Sequence, residues 1–179
     1  MTLCYVQGMR TSLVLTLIGD DRPGLVEQLS DRILATGANW EESRMARLAG
    51  KFAGVLRVSV DADRADSLAA ALSGLETGGL KVVVERSTDV HAGESRPIHL
   101  EVVGNDRPGI VRDISRVLAQ YQVNIEEFES AVTGAPMSGE PLFRARARLR
   151  VPPGVTIEQL RGVLEALAGE LMVDVVLQP

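Results

Sequence analysis

The chain contains nearly the same six-residue motif twice, 85 positions apart. Gly19-Asp20-Asp21-Arg22-Pro23-Gly24 is followed later by Gly104-Asn105-Asp106-Arg107-Pro108-Gly109. The same offset aligns residues on both sides of the motif: Leu13, Leu15, Leu17, Val26, Ser30, Asn39, Glu41 and Glu42 with Ile98, Leu100, Val102, Val111, Ser115, Asn124, Glu126 and Glu127. A repeat of this kind predicts one structural module that is used twice, each copy of about 80 residues.

Each motif has the residue order of a strand that ends, a tight loop and a helix that begins. Pro23 has a φ angle near the helical value and no N–H, so we expect it at the first helical position. Gly24 has no Cβ and allows a ligand or another chain close to the backbone. Free N–H groups at such a helix N-terminus suit a carboxylate. The alternative is a simple turn in which Asp21 or Asp106 caps the helix.

Composition restricts the class of protein. With 45% apolar but only 3% aromatic residues, the cores must consist of Leu, Val, Ile and Ala. No stretch approaches the ~20 apolar residues of a membrane span, and residues 1–8 lack a basic region followed by an apolar run, so we expect a cytoplasmic protein. The single cysteine, Cys4, excludes an intrachain disulfide and a cysteine-based zinc site. A net charge of −5 disfavours sequence-independent binding to nucleic acid.

Hydrophobic periodicity predicts the element order βαββαβ in each module. In the first module we expect strands at 12–18, 39–48, 52–60 and 80–84, a helix that Gly37 ends, and a second helix that Gly78-Gly79 closes. In the first of these helices Leu25, Val26, Leu29 and Ile33 recur at helical spacing. In the second module we expect strands at 98–103, 123–132, 143–151 and 171–177, and helices at 110–121 and from Ile157, where Thr156 and Gln159 form a capping box. Right-handed crossovers then give an α+β fold: two ferredoxin-like antiparallel four-stranded sheets, each with both helices on one face.

The predicted domain boundaries follow from this pattern. Residues 1–10 form a tail or a short additional strand, 11–86 the first domain, 87–95 a polar linker and 96–178 the second domain. Met9 is an alternative to Met1 as the start of the chain. The second copy has six additional residues within 133–142, a segment with two prolines and two glycines, which predicts an exposed, shaped loop. It is either a tolerated insertion or a lid or contact loop.

Four arginines alternate with apolar residues in the second module: Arg144, Arg146, Arg148 and Arg150. They are expected on the sheet face opposite the core. A stripe of this kind suits nucleic acid, but Glu101, Glu127 and Glu129 are expected as cross-strand partners on the same face. We therefore expect a salt-bridged, solvated face, with a partner interface as the alternative.

No residue pattern indicates catalysis. His91 and His99 lack the spacing of metal ligands or of a general base. Adjacent residues of a strand point to opposite faces, so neither Glu41-Glu42 nor Glu126-Glu127 is expected to form a two-carboxylate dyad. Phosphate-binding glycine loops, serine elbows and redox motifs are missing from the sequence. We expect a protein that is not an enzyme and needs no cofactor or metal.

With two Asp-Arg-Pro-Gly loops, βαββαβ around each, and Asn39 or Asn124 opening the next strand, residues 11–178 resemble a tandem pair of ACT domains. The two-module layout and the segment from Ala135 to Phe143 resemble the glycine cleavage system transcriptional repressor family. This resemblance implies binding of a small amino acid, glycine or serine, at interfaces between modules. It also implies repression through a DNA-binding regulator as protein partner, without direct contact to nucleic acid or membrane.

The resemblance further implies the residues of the effector site. They are Asp21, Arg22, Pro23, Gly24, Leu25 and Asn39 in the first module, and Asp106, Arg107, Pro108, Gly109, Ile110 and Asn124 in the second. Some amino-acid-binding relatives have Asn where this chain has Asp21 and Asp106. Because an aspartate repels a carboxylate, we expect the backbone amides to face the ligand carboxylate and the Asp and Asn side chains to take the ammonium group.

Two other functions stay open at this point. One is a detached regulatory subunit or interaction module of an amino-acid metabolic enzyme. The other is a ferredoxin-like enzyme of the acylphosphatase type, for which Arg22 and Asn39 give thin support. Exposed sheet edges predict a homodimer.

Overall fold

The structure, a computed structural model, describes residues 9–87, 95–134 and 139–178. The chain divides into two compact units at residues 90 and 91, and each unit is described by itself. Several sequence predictions lie outside the described residues: the tail 1–8 with Cys4, linker residues 88–94 with His91, and loop residues 135–138.

The first unit has the predicted βαββαβ order. Its elements are β1 (Arg10–Asp20), α1 (Leu25–Ala35), β2 (Asn39–Leu48), β3 (Lys51–Asp61), α2 (Ala65–Ser73) and β4 (Leu80–Arg86). Short 3-10 helices at Ala62–Arg64 and Gly74–Gly78 flank α2. The sheet order is β2-β3-β1-β4 with antiparallel pairing throughout.

The second unit repeats this topology. Its elements are β5 (Arg96–Asn105), α3 (Ile110–Gln120), β6 (Asn124–Gly134), β7 (Pro141–Val151), α4 (Ile157–Leu171) and β8 (Val173–Gln178), in the sheet order β6-β7-β5-β8. The pairings are again antiparallel. The prediction of two ferredoxin-like α+β sheets is confirmed.

Each core lies between one face of the sheet and both helices. In the first unit Leu15, Leu56, Leu29 and Leu72, from β1, β3, α1 and α2, are almost completely buried in one apolar cluster. The cluster of the second unit is built from the corresponding strands and helices, and Leu164 of α4 is almost completely buried in it. Every second strand residue faces away from the helices; we call this surface the outer face of the sheet.

Several predicted boundaries differ from those observed. Arg10 belongs to β1, where it pairs with Asp61, rather than to a tail. Leu171 is the last residue of α4 instead of the first of β8, because Met172 adopts a left-handed conformation that ends the helix. Strands β6 and β7 pair as far as Gly134 and Pro141, so the connection between them is shorter than predicted. The capping box of Thr156 and Gln159 is confirmed.

Candidate functional site

The first motif forms a corner between β1 and α1, which we define as residues 21–24 with the first turn of α1. Gly24 is the N-cap with a φ of 86°, a left-handed conformation that glycine adopts without a Cβ penalty. Helix α1 begins at Leu25, and the Gln28 N–H donates to the Gly24 carbonyl at 2.9 Å. The expectation that Pro23 is the first helical residue is wrong, because the left-handed Gly24 stands between it and the helix.

No side chain among the described residues caps α1. The sequence offered Asp21 as a side-chain cap of α1, but its carboxylate binds a different residue. Asp21 Oδ2 accepts a hydrogen bond from Arg47 Nε at 2.6 Å. Its backbone N–H donates to the Gly50 carbonyl at the β2–β3 turn, at 2.9 Å. The first corner is therefore held to the β2–β3 hairpin. The N–H groups of the first turn of α1 have no side-chain acceptor among the residues that the structure describes.

Asp20 also holds the corner to the hairpin. Its carboxylate accepts a hydrogen bond from Lys51 Nζ, and this hydrogen bond lowers the pKa of Asp20 below the ordinary value of 3.8. Both lysine and aspartate are solvent-exposed. Sequence reasoning did not single out Lys51 or Arg47. The topology places them beside the motif, since β3 begins where β1 ends.

The motif arginines anchor each corner to the end of the second helical segment of its unit. Arg22 Nη2 donates to the Gly78 carbonyl at 2.9 Å and to Gln28 Oε1 at 3.1 Å. Arg107 Nη2 donates to the Glu170 carbonyl at 3.3 Å, near the C-terminus of α4. Both arginines thus bind backbone oxygens, which gives them a structural role in the corners.

The second corner, residues 106–109 with the first turn of α3, repeats the backbone geometry. Gly109 is the N-cap with a φ of 102°, and α3 begins at Ile110, so Pro108 also precedes the helix. The Asp106 N–H donates to the Pro141 carbonyl at 2.9 Å. Val132 occupies the position of Arg47 in the hairpin, and the Asp106 carboxylate has no partner among the described residues.

A second carboxylate lies at this corner. Asp113 Oδ1 accepts a hydrogen bond from Arg112 Nε at 2.9 Å. Asp113 Oδ2 is 3.5 Å from the position that a Cβ would take on Gly109. The hydrogen bond from Arg112 holds the pKa of Asp113 below its usual value, so this carboxyl is ionised at neutral pH. The first corner has the neutral Gln28 at the corresponding position.

The structure does not bring Asn39 or Asn124 to the corner of its own unit. Asn39 pairs with Ser59 and Ser59 with Ser12, eight residues before Asp20, which corresponds to roughly 26 Å along the strand. In the second unit Asn124 pairs with Arg150 and Arg150 with Pro97, at the opposite end of β5 from Asn105. One small zwitterion cannot contact both the corner and the asparagine of one unit.

Comparison with known proteins identifies the repeated unit. Two ACT-domain family models match the chain, one at residues 11–85 and the other at residues 98–168.

The chain belongs to the ACT-domain family.

The relatives share the tandem arrangement over most of their length. The crystal structure of an unknown protein from Galdieria sulphuraria is 32% identical, covers 95% of this chain and 98% of its own, and has a TM-score of 0.85. The glycine cleavage system transcriptional repressor of Escherichia coli (strain K12) is homologous, with 24% identity over 166 residues that span 89% of this chain and 85% of that protein. A crystal structure provisionally assigned to such repressors is similar in fold, with a TM-score of 0.71 and 23% identity.

Two tandem ACT domains and this homology support a regulatory role and favour a regulatory protein over an enzyme. Among the described residues, the structure contains no group of three or more His, Cys, Asp or Glu side chains arranged for a metal ion. No helix in the described ranges has the length and apolarity needed to cross a membrane.

The outer faces of the two ACT domains contain a repeated acid pair. A β-bulge in β2 brings Glu41 and Glu42 to the same arginine, Arg57, at 3.3 and 3.8 Å. The corresponding bulge in β6 places Glu126 and Glu127 at 3.6 and 2.6 Å from Arg148. The prediction that the members of each pair point to opposite faces is wrong, because a bulge interrupts the alternation. Both glutamates of each pair are thus ion-paired with one arginine of the neighbouring strand.

The arginine stripe of the second domain is largely paired. Arg146 contacts Glu101 at 3.2 Å, Arg148 contacts both bulge glutamates, and Arg150 pairs with Glu126. The expected partnership with Glu101 and Glu127 is thus observed, and Glu126 is an additional partner that simple alternation did not reveal. Arg144 has no ion pair among the described residues, and His99 is exposed on the same face.

Proposed function

We propose that this protein is an amino-acid-sensing regulator that acts as a glycine cleavage system transcriptional repressor through a protein partner. The homology to a repressor of that system supports the proposal, and so do the two tandem ACT domains. The observation that carries the sensing role is the duplicated corner, where a left-handed glycine starts a helix that no described side chain caps.

The corners have the chemistry to bind a small zwitterion. Backbone N–H groups of the first turns of α1 and α3, beginning at Leu25 and Ile110, face a ligand carboxylate. In the second corner the Asp106 carboxylate, which has no partner among the described residues, suits the ligand ammonium. In the first corner Asp21 forms an ion pair with Arg47. Arg22 and Arg107 shape the corners through their backbone contacts. Asn39 and Asn124 lie too far from the corner of their own unit to contact the same ligand.

The expected affinity is modest. Glycine's five non-hydrogen atoms, at a ceiling of about −1.5 kcal/mol each, allow at most roughly −7.5 kcal/mol, which corresponds to a micromolar dissociation constant. Such an affinity suits a metabolite that is present in the cell at high concentration. A preference of about 1 to 3 kcal/mol for one arrangement of the protein is sufficient for a regulatory switch.

The charge distribution favours a protein partner over DNA. The chain has a net charge of −5, and the arginines of its most basic strand are mostly paired with glutamates. Binding to the phosphate backbone requires clustered, available Lys and Arg side chains. We therefore propose that a DNA-binding regulator of the glycine cleavage genes is the partner, in the cytoplasm.

Calorimetry with glycine and serine on the full chain tests the sensing role. Val26→Glu and Val111→Glu place a carboxylate on the exposed side of the first turn of α1 and α3, where acidic residues stabilise a helix. We expect these variants to fold and to lose effector binding, whereas the neutral controls Val26→Gln and Val111→Gln retain it. No heat and no shift in melting temperature at millimolar glycine or serine would contradict the sensing role.

Affinity capture from a cell extract tests the regulatory route separately. We expect the chain to retain a DNA-binding regulator and to leave labelled promoter DNA unshifted when that regulator is absent. If the capture recovers an amino-acid metabolic enzyme instead, the repressor role is contradicted. The result then supports the alternative function, a detached regulatory subunit of that enzyme.

A further inference from the structure

A cavity of about 710 Å³ lies at the end of the second sheet opposite the second corner. The start of β5, the end of β7, the connection between β7 and α4 and the first turn of α4 surround it. Cavities that bind small molecules have about 300 to 1,000 Å³ and mostly apolar walls with few polar groups. The charged lining residues are Arg96 and Glu158. The apolar lining residues are Pro97, Val151, Pro152, Pro153, Val155 and Ile157.

The connection between β7 and α4 forms a rigid wall of this cavity. Its residues 152–155 make a β-turn, in which the Val155 N–H donates to the Pro152 carbonyl at 3.4 Å. Proline at the second position of the turn and Gly154 at the third, with a φ of 96°, are typical of a type II turn. The capping box of Thr156 then fixes the start of α4. A wall that is rigid before binding lowers the entropy cost of holding a ligand.

The first domain has a backbone hydrogen bond and a charge at the corresponding turn. Ala62 stands at the position of Pro153 in the strand register, and its N–H donates to the Met9 carbonyl at 2.9 Å. Proline has no N–H, so Pro153 cannot donate this hydrogen bond. Asp61 stands at the position of Pro152. The two prolines of the second domain thus replace a hydrogen-bond donor and a carboxylate by apolar surface.

Arg96 brings a guanidinium to this cavity. It has the parity of the buried residues Ile98 and Leu100, so its side chain leaves β5 on the helix side of the sheet. It has no hydrogen-bond or ion-pair partner among the described residues. The corresponding residue of the first domain is the neutral Thr11. The fold therefore does not require a cation at this position, and the guanidinium is available to a ligand.

Glu158, the acidic residue of the cavity, has a structural explanation. It is the second residue of α4, and Asp66 is the second residue of α2 in the first domain. An acidic residue in the first turn stabilises a helix, because it offsets the positive end of the helix dipole. Both domains keep this acid, whereas only the second has a cation at the position of Arg96. The charge that remains for a ligand is positive.

We propose that this cavity binds a small carboxylic acid with an apolar body. Arginine binds a carboxylate through two parallel hydrogen bonds, and Arg96 supplies this contact. Val155 and Ile157 pack partly against the core and, with the prolines, present apolar surface to the ligand body. Glycine is too small to contact these walls together with Arg96. The cavity is at the opposite end of β5 from the second corner, so the site is separate from the one proposed for the amino acid.

Nuclear magnetic resonance titration of the full, isotope-labelled chain tests both the ligand class and its place. We expect millimolar isocaproate to shift the amide signals of Val151, Val155 and Ile157. Acetate, which lacks the apolar body, should bind more weakly by roughly tenfold or more, since each buried methylene contributes about fourfold in affinity. Isohexylamine has the same body with a cation and should leave these signals unchanged.

Two variants test the charges of the cavity, and a third is the control. Arg96→Thr introduces the residue of the first domain, so this variant should fold. It should lose roughly fivefold in affinity for isocaproate, the effect of one ion pair in a water-like dielectric. Glu158→Gln removes a negative charge and should strengthen binding. The control, Arg144→Thr, removes an exposed arginine of the outer face without an ion pair among the described residues, and should bind isocaproate as the wild type does.

Three results would overturn the proposal. The first is that isocaproate leaves the signals of Val151, Val155 and Ile157 unchanged. The second is an equal affinity of the wild type and Arg96→Thr. The third is tighter binding of leucine, which is isocaproate with an amino group, because the site then selects a zwitterion instead of an acid. Glycine binding shifts signals of the corners, so its success or failure does not alter these outcomes.

Discussion

Gln28 in α1 and Asp113 in α3 are structural equivalents. The backbone N–H of each donates to the carbonyl of its N-cap glycine, Gly24 or Gly109, at 2.9 Å. The side chains differ in charge: Gln28 accepts a hydrogen bond from Arg22, whereas Asp113 carries a carboxylate paired with Arg112. The duplicated corners therefore have the same backbone and different electrostatic fields.

This difference predicts unequal affinities of the two corners for a ligand carboxylate. Asp113→Gln should strengthen glycine binding at the second corner, and Gln28→Asp should weaken it at the first. Two unit charges about 4 Å apart interact by about 1 kcal/mol in a water-like dielectric, which corresponds to roughly fivefold in affinity. Calorimetric titration of each variant measures the effect. If both affinities stay at the wild-type value, a carboxylate does not bind at these helix ends.

Removal of either motif arginine should destabilise its domain without changing the fold. Arg22→Ala and Arg107→Ala each remove hydrogen bonds to backbone carbonyls, Gly78 and Glu170 respectively. A hydrogen bond of this kind contributes about 1 kcal/mol to the free energy of unfolding. Urea unfolding measures the loss, and Arg161→Ala is the control, since Arg161 is exposed and has no partner among the described residues. An equal loss in this control would contradict an anchoring role.

Replacement of the first glycine of each motif by alanine should destabilise its domain. A Cβ on Gly19 would lie 2.7 Å from the Gly79 carbonyl, and one on Gly104 would lie 2.6 Å from Val173 Cγ1. Gly19→Ala and Gly104→Ala should therefore lower stability by about 1 to 3 kcal/mol, the usual effect of overpacking. Gly162 in α4 has open space around it, so Gly162→Ala should raise stability by roughly 0.5 to 1 kcal/mol. Thermal and urea unfolding measure both effects.

The pair of Asp20 and Lys51 predicts a pH dependence of stability. Because the hydrogen bond from Lys51 lowers the pKa of Asp20 in the folded state, its stabilisation is complete above the ordinary value of 3.8. It is lost as the pH falls through the lowered folded-state pKa. Asp20→Asn, the residue present at position 105, should therefore lower the melting temperature at neutral pH and have no effect at strongly acidic pH. An equal effect of Asp20→Asn at both pH values would show that the pair does not contribute through its charge.

The fold was predictable because its signals are local and occur twice. The alternation of Leu13, Leu15 and Leu17 and the helical spacing of Leu68 and Leu72 define core faces without knowledge of the partner elements, and the structure buries these residues. The capping box at Thr156 is likewise a contact between residues three positions apart. The start of α1 was predicted less well, because glycine adopts positive and negative φ almost equally, so its residue type did not reveal the left-handed Gly24 between Pro23 and the helix.

The sequence by itself determined the duplication, the strand and helix faces and the place of the two corners, since these depend on periodicity and on the conformational limits of nearby residues. Only the tertiary structure decided that Arg47 binds Asp21, that β-bulges bring two glutamates to one arginine, and that Asn39 lies far from its own corner. Strand register and bulges set these relationships, and they join residues far apart in the chain. No local pattern of amino acids specifies them.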